Sequence, residues 1–204
     1  MIRPLVAILR GLHPHEATAV LDALVGAGIT RIEVPMNSPD PLDSIALMAK
    51  SAPPEVQIGA GTVLTVQEVG QVKAAGGALI VSPNCDTEVI RATKAAHMQS
   101  FPGVLTPSEC FRALAAGADA LKVFPSFLMG TEGLKAVRAV LPPETEIYMV
   151  GGVDDGNFAE WLAAGATGFG VGSALYKPGR SPEDVAARAR DMVAAFDAYD
   201  GYAP

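Results

Sequence analysis

The sequence predicts a single α/β domain folded as a (β/α)8 TIM barrel. Short runs of β-branched or aliphatic residues alternate with longer Ala-rich amphipathic stretches along the 204 residues, which is typical of repeated strand–helix units. There are eight such runs, and about 25 residues per unit suffice for a strand, a helix and two short loops. An open doubly wound sheet is the structural alternative. It usually needs fewer strands and gives no reason for an even eight.

The strands and helices are predicted from the local hydrophobic pattern and from the capping, proline and glycine residues between them. The eight expected strands are Leu5–Leu9, Arg31–Val34, Val56–Gly61, Ala78–Val81, Met98–Phe101, Ala120–Phe124, Glu146–Val150 and Gly168–Val171. The eight expected helices span 14–26, 40–50, 65–75, 86–95, 107–115, 131–140, 155–163 and 182–198. Hydroxyl caps or prolines mark helix starts at Ser38-Pro39, Thr65, Thr106-Pro107 and Ser181-Pro182. Ala-Gly pairs such as Ala27-Gly28 mark helix ends, because glycine accepts the left-handed conformation that turns the chain back toward the sheet.

Composition and charge exclude several classes of protein. Lys and Arg total 15 against 22 Asp and Glu, and the net charge of −7 without a basic patch argues against a nucleic-acid partner. The chain has no apolar run long enough to span a membrane and no secretory signal, so we expect a soluble cytoplasmic protein. Its two cysteines lack metal-ligand spacing and its three histidines join no carboxylate cluster, so we expect neither a disulfide nor a metal site.

Two charged residues stand inside apolar strand patterns. In a barrel, chemistry is carried at the carboxyl ends of the strands. Lys122 lies in Ala120–Phe124, where both faces are covered, and a buried lysine tends to lose its proton and become a nucleophile suited to Schiff-base chemistry. Glu33 lies in the second strand, where burial favours a general acid or base. The structural alternative is that each of them simply pairs with an opposite charge.

Further candidates for substrate binding stand at other strand ends. Arg10 ends the first strand and is suited to carboxylate recognition, although a surface arginine is equally ordinary there. Thr62 follows a glycine-bracketed strand end, and its hydroxyl could bind a ligand carboxylate. Strands seven and eight end in Val150-Gly151-Gly152-Val153 and Gly170-Val171-Gly172-Ser173. Such glycine-rich ends expose backbone N–H groups to an anion, so we expect a phosphate there.

Seven short sequence motifs, distributed over nearly the whole chain, resemble those of a known family. They are Ile8-Leu9-Arg10-Gly11, Ile32-Glu33-Val34-Pro35, Gly59-Ala60-Gly61-Thr62-Val63-Leu64, Ser82-Pro83-Asn84, Phe101-Pro102-Gly103, Leu121-Lys122-Val123-Phe124-Pro125 and Gly151-Gly152-Val153. In order and spacing they resemble the 2-keto-3-deoxy-6-phosphogluconate (KDPG)/4-hydroxy-2-oxoglutarate (KHG) aldolase family. The resemblance implies a class I aldolase on a homotrimeric barrel, without cofactor or metal, in which Lys122 forms the Schiff base and Glu33 relays protons.

Within that family the chain resembles the 2-dehydro-3-deoxy-6-phosphogalactonate branch. Gluconate-type members usually carry Leu-Arg-Thr and Thr-Gly-Gly where this chain has Met36-Asn37-Ser38-Pro39 and Val150-Gly151-Gly152. The implied substrate is a phosphorylated keto-deoxy sugar acid, cleaved to pyruvate and glyceraldehyde 3-phosphate. Its carboxylate is expected on Arg10 and Thr62, its C4 hydroxyl near Val150, and its phosphate on Gly151, Gly152, Gly172 and Ser173.

Three alternatives remain beside this expectation. One is the KDPG/KHG activity itself. Another is a phosphosugar epimerase, although metal-using epimerases need inward His and Asp ligands that these strand ends lack. The last is a non-catalytic barrel that binds sugar phosphates.

One departure from gluconate-type relatives is that they often begin with a helix that caps the barrel bottom, whereas this chain enters its first strand almost at once.

Overall fold

The computed structural model describes residues 3–199. The single domain expected over 1–204 includes residues 1–2 and 200–204, which lie outside the described part. The strands are β1 (Leu5–Ile8), β2 (Arg31–Pro35), β3 (Gln57–Gly61), β4 (Leu79–Val81), β5 (Gln99–Phe101), β6 (Gly103–Val104), β7 (Leu121–Val123), β8 (Ile147–Val150) and β9 (Gly168–Val171). A 3-10 turn at Pro14–Glu16 leads into α1 (Ala17–Ala27), followed by α2 (Pro41–Ser51), α3 (Val66–Ala74), α4 (Thr87–Ala95), α5 (Pro107–Ala115), α6 (Ser126–Arg138), α7 (Phe158–Ala163) and α8 (Pro182–Asp197).

The strands form one parallel sheet that curls into a nearly closed barrel, which confirms the predicted fold. The order is β5-β4-β3-β2-β1-β9-β8-β7-β6, and every pair is parallel. The fifth expected strand, Met98–Phe101, corresponds to β5, which pairs with β4, and a further strand that was not expected, β6, follows Pro102 and pairs with β7. Proline has no N–H to donate to a ladder, so the strand breaks where it changes partners. The two ends of the sheet therefore meet at one residue.

The helix starts follow the expected caps with one exception. Thr65 and Thr106 each accept a hydrogen bond from the backbone N–H three residues later, and both form capping boxes. Ser38 does not cap a helix, because α2 begins at Pro41 and the Ser38 hydroxyl accepts the N–H of Gly11 at 3.0 Å. That hydrogen bond joins the loop after β1 to the loop after β2, so this serine stabilises the rim of the barrel.

The sixth helix differs most from expectation, which was 131–140. Helical structure already begins at Ser126, directly after β7, and is interrupted at Gly130, whose φ of 66° and ψ of 169° are not helical. The first turn therefore forms separately, and the Ser126 hydroxyl donates to the Gly151 carbonyl at 2.5 Å. This contact ties the start of α6 to the end of β8, a link that local sequence pattern does not encode.

Aromatic and aliphatic side chains fill the barrel below Lys122, and no helix of residues 3–199 precedes β1. Phe101 and Tyr148 pack with ring centroids 4.9 Å apart, and Arg31 donates to the Tyr148 hydroxyl at 2.5 Å. The filled lower barrel leaves the carboxyl ends of the strands as the open end. Within residues 3–199, no helix is both long enough and apolar enough to cross a membrane.

Candidate active site

Glu33 and Lys122 both point into the barrel from strands on opposite sides. Only 1% of Glu33 and 6% of Lys122 are exposed, and both border the same narrow space at the centre of the barrel. Lys122 also lines a larger cavity of about 550 Å³ at the open end. The lysine therefore stands between the carboxyl group below it and the cavity above it.

The electrostatics of this pair differ from those of an exposed ion pair. Burial raises the pKa of Glu33 to about 7, although Lys122, Arg10 and the Gly61 N–H act in the opposite direction. Burial lowers the pKa of Lys122, Glu33 opposes that change, and Arg10 adds to it. Both groups are thus shifted toward their neutral forms. A neutral amine is a nucleophile, and a carboxyl group that titrates near pH 7 can both donate and accept a proton.

Gly61 makes room for the Glu33 carboxylate. A Cβ at this position would lie 2.1 Å from Oε2 of Glu33 and 2.3 Å from Oε1, so no other residue fits without displacing the carboxylate. Oε2 is buried and has no hydrogen-bond partner within the described residues. The sequence indicates this glycine only as part of the strand end before Thr62, and its role beside Glu33 was missed because it depends on the pairing of β2 with β3.

The cavity brings together seven of the nine predicted site residues. Its lining includes Arg10, Lys122, Val150, Gly151, Gly152, Gly172 and Ser173. Glu33 lies beneath it, and Thr62 is half-buried with a positive φ of 56° and is not among the lining residues. Phe124, Asp154, Tyr176 and Lys177 also line the cavity, and none of them was predicted. The Lys122 Nζ lies 5.0 Å from the centroid of the Phe124 ring, which forms part of the wall beside the amine.

Arg10 is held by the loop after β2. Its guanidinium donates to Oδ1 of Asn37 at 2.5 Å, next to the Gly11–Ser38 hydrogen bond. In the sequence, Met36-Asn37-Ser38-Pro39 was distinguished by its lack of an arginine and by the expected helix start at Ser38-Pro39. In the structure, it orients the arginine of another loop. Nothing in the spacing of the two segments could have predicted that contact.

The fold is a (β/α)8 barrel, and a buried amine and a buried carboxyl group lie together beside the cavity at its open end. The family described as KDPG and KHG aldolase matches residues 2–188, and the chain belongs to it. The protein is therefore an aldolase, a lyase of carbohydrate metabolism.

Individual relatives differ in how similar they are to this chain. The probable 2-dehydro-3-deoxy-6-phosphogalactonate aldolase of Rhizobium meliloti (strain 1021) is 52% identical over 201 residues, which cover 98% of this chain and 95% of that protein. The KHG/KDPG aldolase of Escherichia coli (strain K12) is 30% identical over 162 residues, which cover 78% of this chain and 75% of that protein. A solved structure described as native KDPGal superposes with a TM-score of 0.95 at 43% identity, covering 98% of this chain and 97% of that chain.

Proposed function

We propose that this aldolase cleaves 2-dehydro-3-deoxy-6-phosphogalactonate to pyruvate and D-glyceraldehyde 3-phosphate through a Schiff base on Lys122. The observation that carries the proposal is the position of Lys122, a buried amine with a lowered pKa that opens into the cavity directly above Glu33. The higher identity to the phosphogalactonate aldolase than to the KHG/KDPG aldolase supports the choice of substrate.

The first stage of the reaction joins the substrate to the enzyme. The neutral Lys122 amine attacks the C2 ketone and forms a carbinolamine. Protonated Glu33 then donates its proton to the C2 hydroxyl, which leaves as water, and the C2=N iminium forms. A carboxyl group with a pKa of about 7 holds a proton for this step near neutral pH and is left ionised for the next one.

The second stage breaks the carbon–carbon bond. The Glu33 carboxylate, directly or through a water, takes the proton of the C4 hydroxyl while the C3–C4 electron pair moves into the iminium. Glyceraldehyde 3-phosphate leaves, and an enamine remains on Lys122. Protonation of the enamine at C3 restores the iminium, and water hydrolyses it to pyruvate and the free amine. The iminium is the electron sink, so the proposed reaction needs no metal or cofactor, and a chelator is expected to leave the rate unchanged.

The cavity offers separate contacts for the two ends of the substrate. Arg10 lines the cavity near the reacting pair, since its charge influences both Glu33 and Lys122, and we assign the substrate carboxylate to it. Thr62 follows Gly61 at the end of β3 and is the proposed second contact for the carboxylate. The phosphate is assigned to the backbone donors of Gly151, Gly152 and Gly172 and to the Ser173 hydroxyl.

Borohydride reduction in the presence of pyruvate tests the Schiff base. We expect a reduced pyruvate adduct on the peptide that contains Lys122, and none in Lys122→Met. Lys73→Met, which changes an exposed lysine of α3, is the matched control and should retain the adduct. Active enzyme that forms no adduct would contradict the proposed mechanism.

Val150 is the residue through which we propose that the C4 epimer is selected. Its side chain is buried and lines the cavity together with Lys122. In a pyruvate-release assay, we expect wild type to favour the galactonate epimer, and Val150→Thr to raise the rate with the gluconate epimer because a hydroxyl can then bind the C4 group. Val150→Ile adds bulk without a hydroxyl and should not raise that rate. A wild-type preference for the gluconate epimer would identify the protein as a KDPG aldolase instead.

We also propose that the enzyme is a homotrimer in the cytoplasm. Phe127 and Leu128 at the start of α6 are 67% and 64% exposed, an unusual exposure for large apolar side chains, and subunit contact would bury them. Light scattering after gel filtration is expected to give a trimer mass, and Phe127→Asp with Leu128→Asp to lower it. Both cysteines are free thiols, as expected in a reducing compartment, and cell fractionation tests the location.

A further inference from the structure

The phosphate end of the cavity lacks a positive charge among the residues assigned to it. Gly151, Gly152, Gly172 and Ser173 contribute only backbone donors and one hydroxyl. A phosphate monoester carries about −1.5 to −2 charges at pH 7. Asp154 lines the same cavity, and its carboxylate, which accepts the Gly156 N–H at 3.0 Å, adds a further negative charge. A dianion bound there needs a cation from another part of the lining.

Three basic side chains line the cavity, and two of them belong to the reacting end. Lys122 is the proposed nucleophile. Arg10 donates a hydrogen bond to Asn37, and its charge influences the pKa values of both Lys122 and Glu33. The third is Lys177, whose side chain is exposed and forms no ion pair within residues 3–199. Its ammonium group is therefore available to a ligand.

The backbone around Lys177 is held beside the phosphate end. The Gly172 carbonyl accepts the N–H groups of both Leu175 and Tyr176 at 2.9 Å, so the chain makes one helical turn between Ser173 and Lys177. On the other side, Pro178 packs so closely on the loop after β1 that a Cβ at Gly11 would lie 2.7 Å from its Cγ. The turn and the packed proline together fix the point from which the lysine side chain extends over the cavity.

Tyr176 adds a further anchor to this segment. It is buried, and its hydroxyl donates to Oε2 of Glu16 at 3.4 Å. The same carboxylate oxygen accepts the N–H of His13 at 3.0 Å, so it joins the segment before Lys177 to the loop that follows Arg10. These contacts leave the ammonium group as the free part of an otherwise well-packed segment.

We propose that Lys177 binds the phosphate of the substrate and supplies the cation that the glycine-lined end of the cavity lacks. The inference rests on the proposed function and extends it by a substrate-binding residue. A charge-assisted hydrogen bond from this lysine to a phosphate oxygen contributes to binding before the carbon–carbon bond breaks. Lys177 therefore acts on the affinity for phosphorylated ligands and has no part in the attack on the ketone.

Three variants test this assignment: Lys177→Ala, Lys177→Arg and the control Lys73→Ala, which removes an exposed lysine of α3 that also forms no ion pair. We expect Lys177→Ala to raise KM for the phosphorylated substrate and the inhibition constant of inorganic phosphate by about tenfold each. Lys177→Arg keeps the charge and should stay within about threefold of wild type, as should Lys73→Ala. Higher ionic strength should reduce the difference in KM and in the phosphate inhibition constant between wild type and Lys177→Ala.

Pyruvate separates the two ends of the cavity, because it has the carboxylate and the ketone but no phosphate. Trapping of pyruvate on Lys122 is expected to be unchanged in Lys177→Ala. Unchanged KM and phosphate inhibition in Lys177→Ala, or weakened pyruvate trapping, would overturn the assignment.

Direct binding of inorganic phosphate keeps this inference separate from the catalytic proposal. Thermal stabilisation of the protein by phosphate, compared with chloride at equal ionic strength, reports binding without turnover. Failure of wild type to form a pyruvate adduct would refute the Schiff-base mechanism, whereas equal stabilisation of wild type and Lys177→Ala by phosphate would refute only the role of Lys177.

Discussion

Replacement of Gly61 by alanine is a severe test of the proposed chemistry, since it adds one methyl group beside the proposed proton relay. The backbone of Gly61 lies in β3 and outside the left-handed region, so alanine is compatible with its conformation. The added Cβ would nevertheless lie 2.1 Å from Oε2 of Glu33. The substitution therefore acts on the position of the Glu33 carboxylate and leaves its chemistry intact.

The size of the effect follows from the overlap. Non-bonded heavy atoms pack at roughly 3.5 Å, so the carboxylate must move by about 1 Å or more. A displacement of about 1 Å in a catalytic group can lower a rate by about 10²-fold. We expect a decrease of that order in kcat for pyruvate release, with a smaller change in KM because Gly61 does not line the binding cavity.

Two controls show whether the loss acts through Glu33. The rate of pyruvate trapping on Lys122 is compared in two backgrounds. Gly61→Ala is expected to lower this rate in wild type. In Glu33→Gln, whose trapping is already slow, Gly61→Ala is expected to cause little further decrease, because the two changes affect one interaction. Gly26→Ala, in α1, places its new Cβ more than 4 Å from every atom outside the adjacent backbone of its own helix, and should leave kcat unchanged and stabilise the helix by about 0.5–1 kcal/mol. Full activity of Gly61→Ala, or an equal fold loss in both backgrounds, would refute the reasoning.

Further predictions concern pH and stability. Because free Glu33 must hold a proton to expel the C2 hydroxyl as water, kcat/KM should fall as pH rises through about 7, and a flat profile would contradict this. The pKa of Glu33 is about 7 in the folded protein and near 4.5 in the unfolded chain. The contribution of Glu33 to stability is therefore present below about pH 4.5 and is lost as pH rises from there through about 7. Thermal denaturation should show this loss in wild type and not in Glu33→Gln. Tyr148→Phe removes the hydroxyl bonded to Arg31 and should lower the free energy of unfolding by about 1–3 kcal/mol in urea titrations with kcat little changed; an unaltered unfolding midpoint would argue against that hydrogen bond. Thr106→Ala removes the side chain that accepts the Glu109 N–H and should cost about 1 kcal/mol in the same assay, whereas Thr106→Ser should cost less.

The barrel could be predicted because its elements have local signals. Apolar runs, Ala-rich amphipathic stretches and capping residues such as Thr65 and Thr106 each depend on neighbours a few residues away. The exceptions depend on distant partners. Pro102 directly follows the fifth expected strand, but only closure of the barrel gives the segments on its two sides different neighbours. Ser38 was expected to start a helix because its neighbours in the sequence do not show its actual partner, the N–H of Gly11, which lies 27 positions away.

The residue types alone specify which chemical groups lie at the open end of the barrel. Lys122 and Glu33 were recognisable because a charged residue inside an apolar strand is costly unless it has a function or a partner, and the glycines after the last two strands were recognisable by composition. What those groups are able to do depends on how the folded chain places them. The pKa of Glu33 depends on burial and on charges from other strands, the space for its carboxylate depends on Gly61, and the approach of Lys177 to the cavity depends on the packing of two loops. Burial and electrostatic interactions act through space, so they are set when the barrel closes and not by the order of residues along the chain.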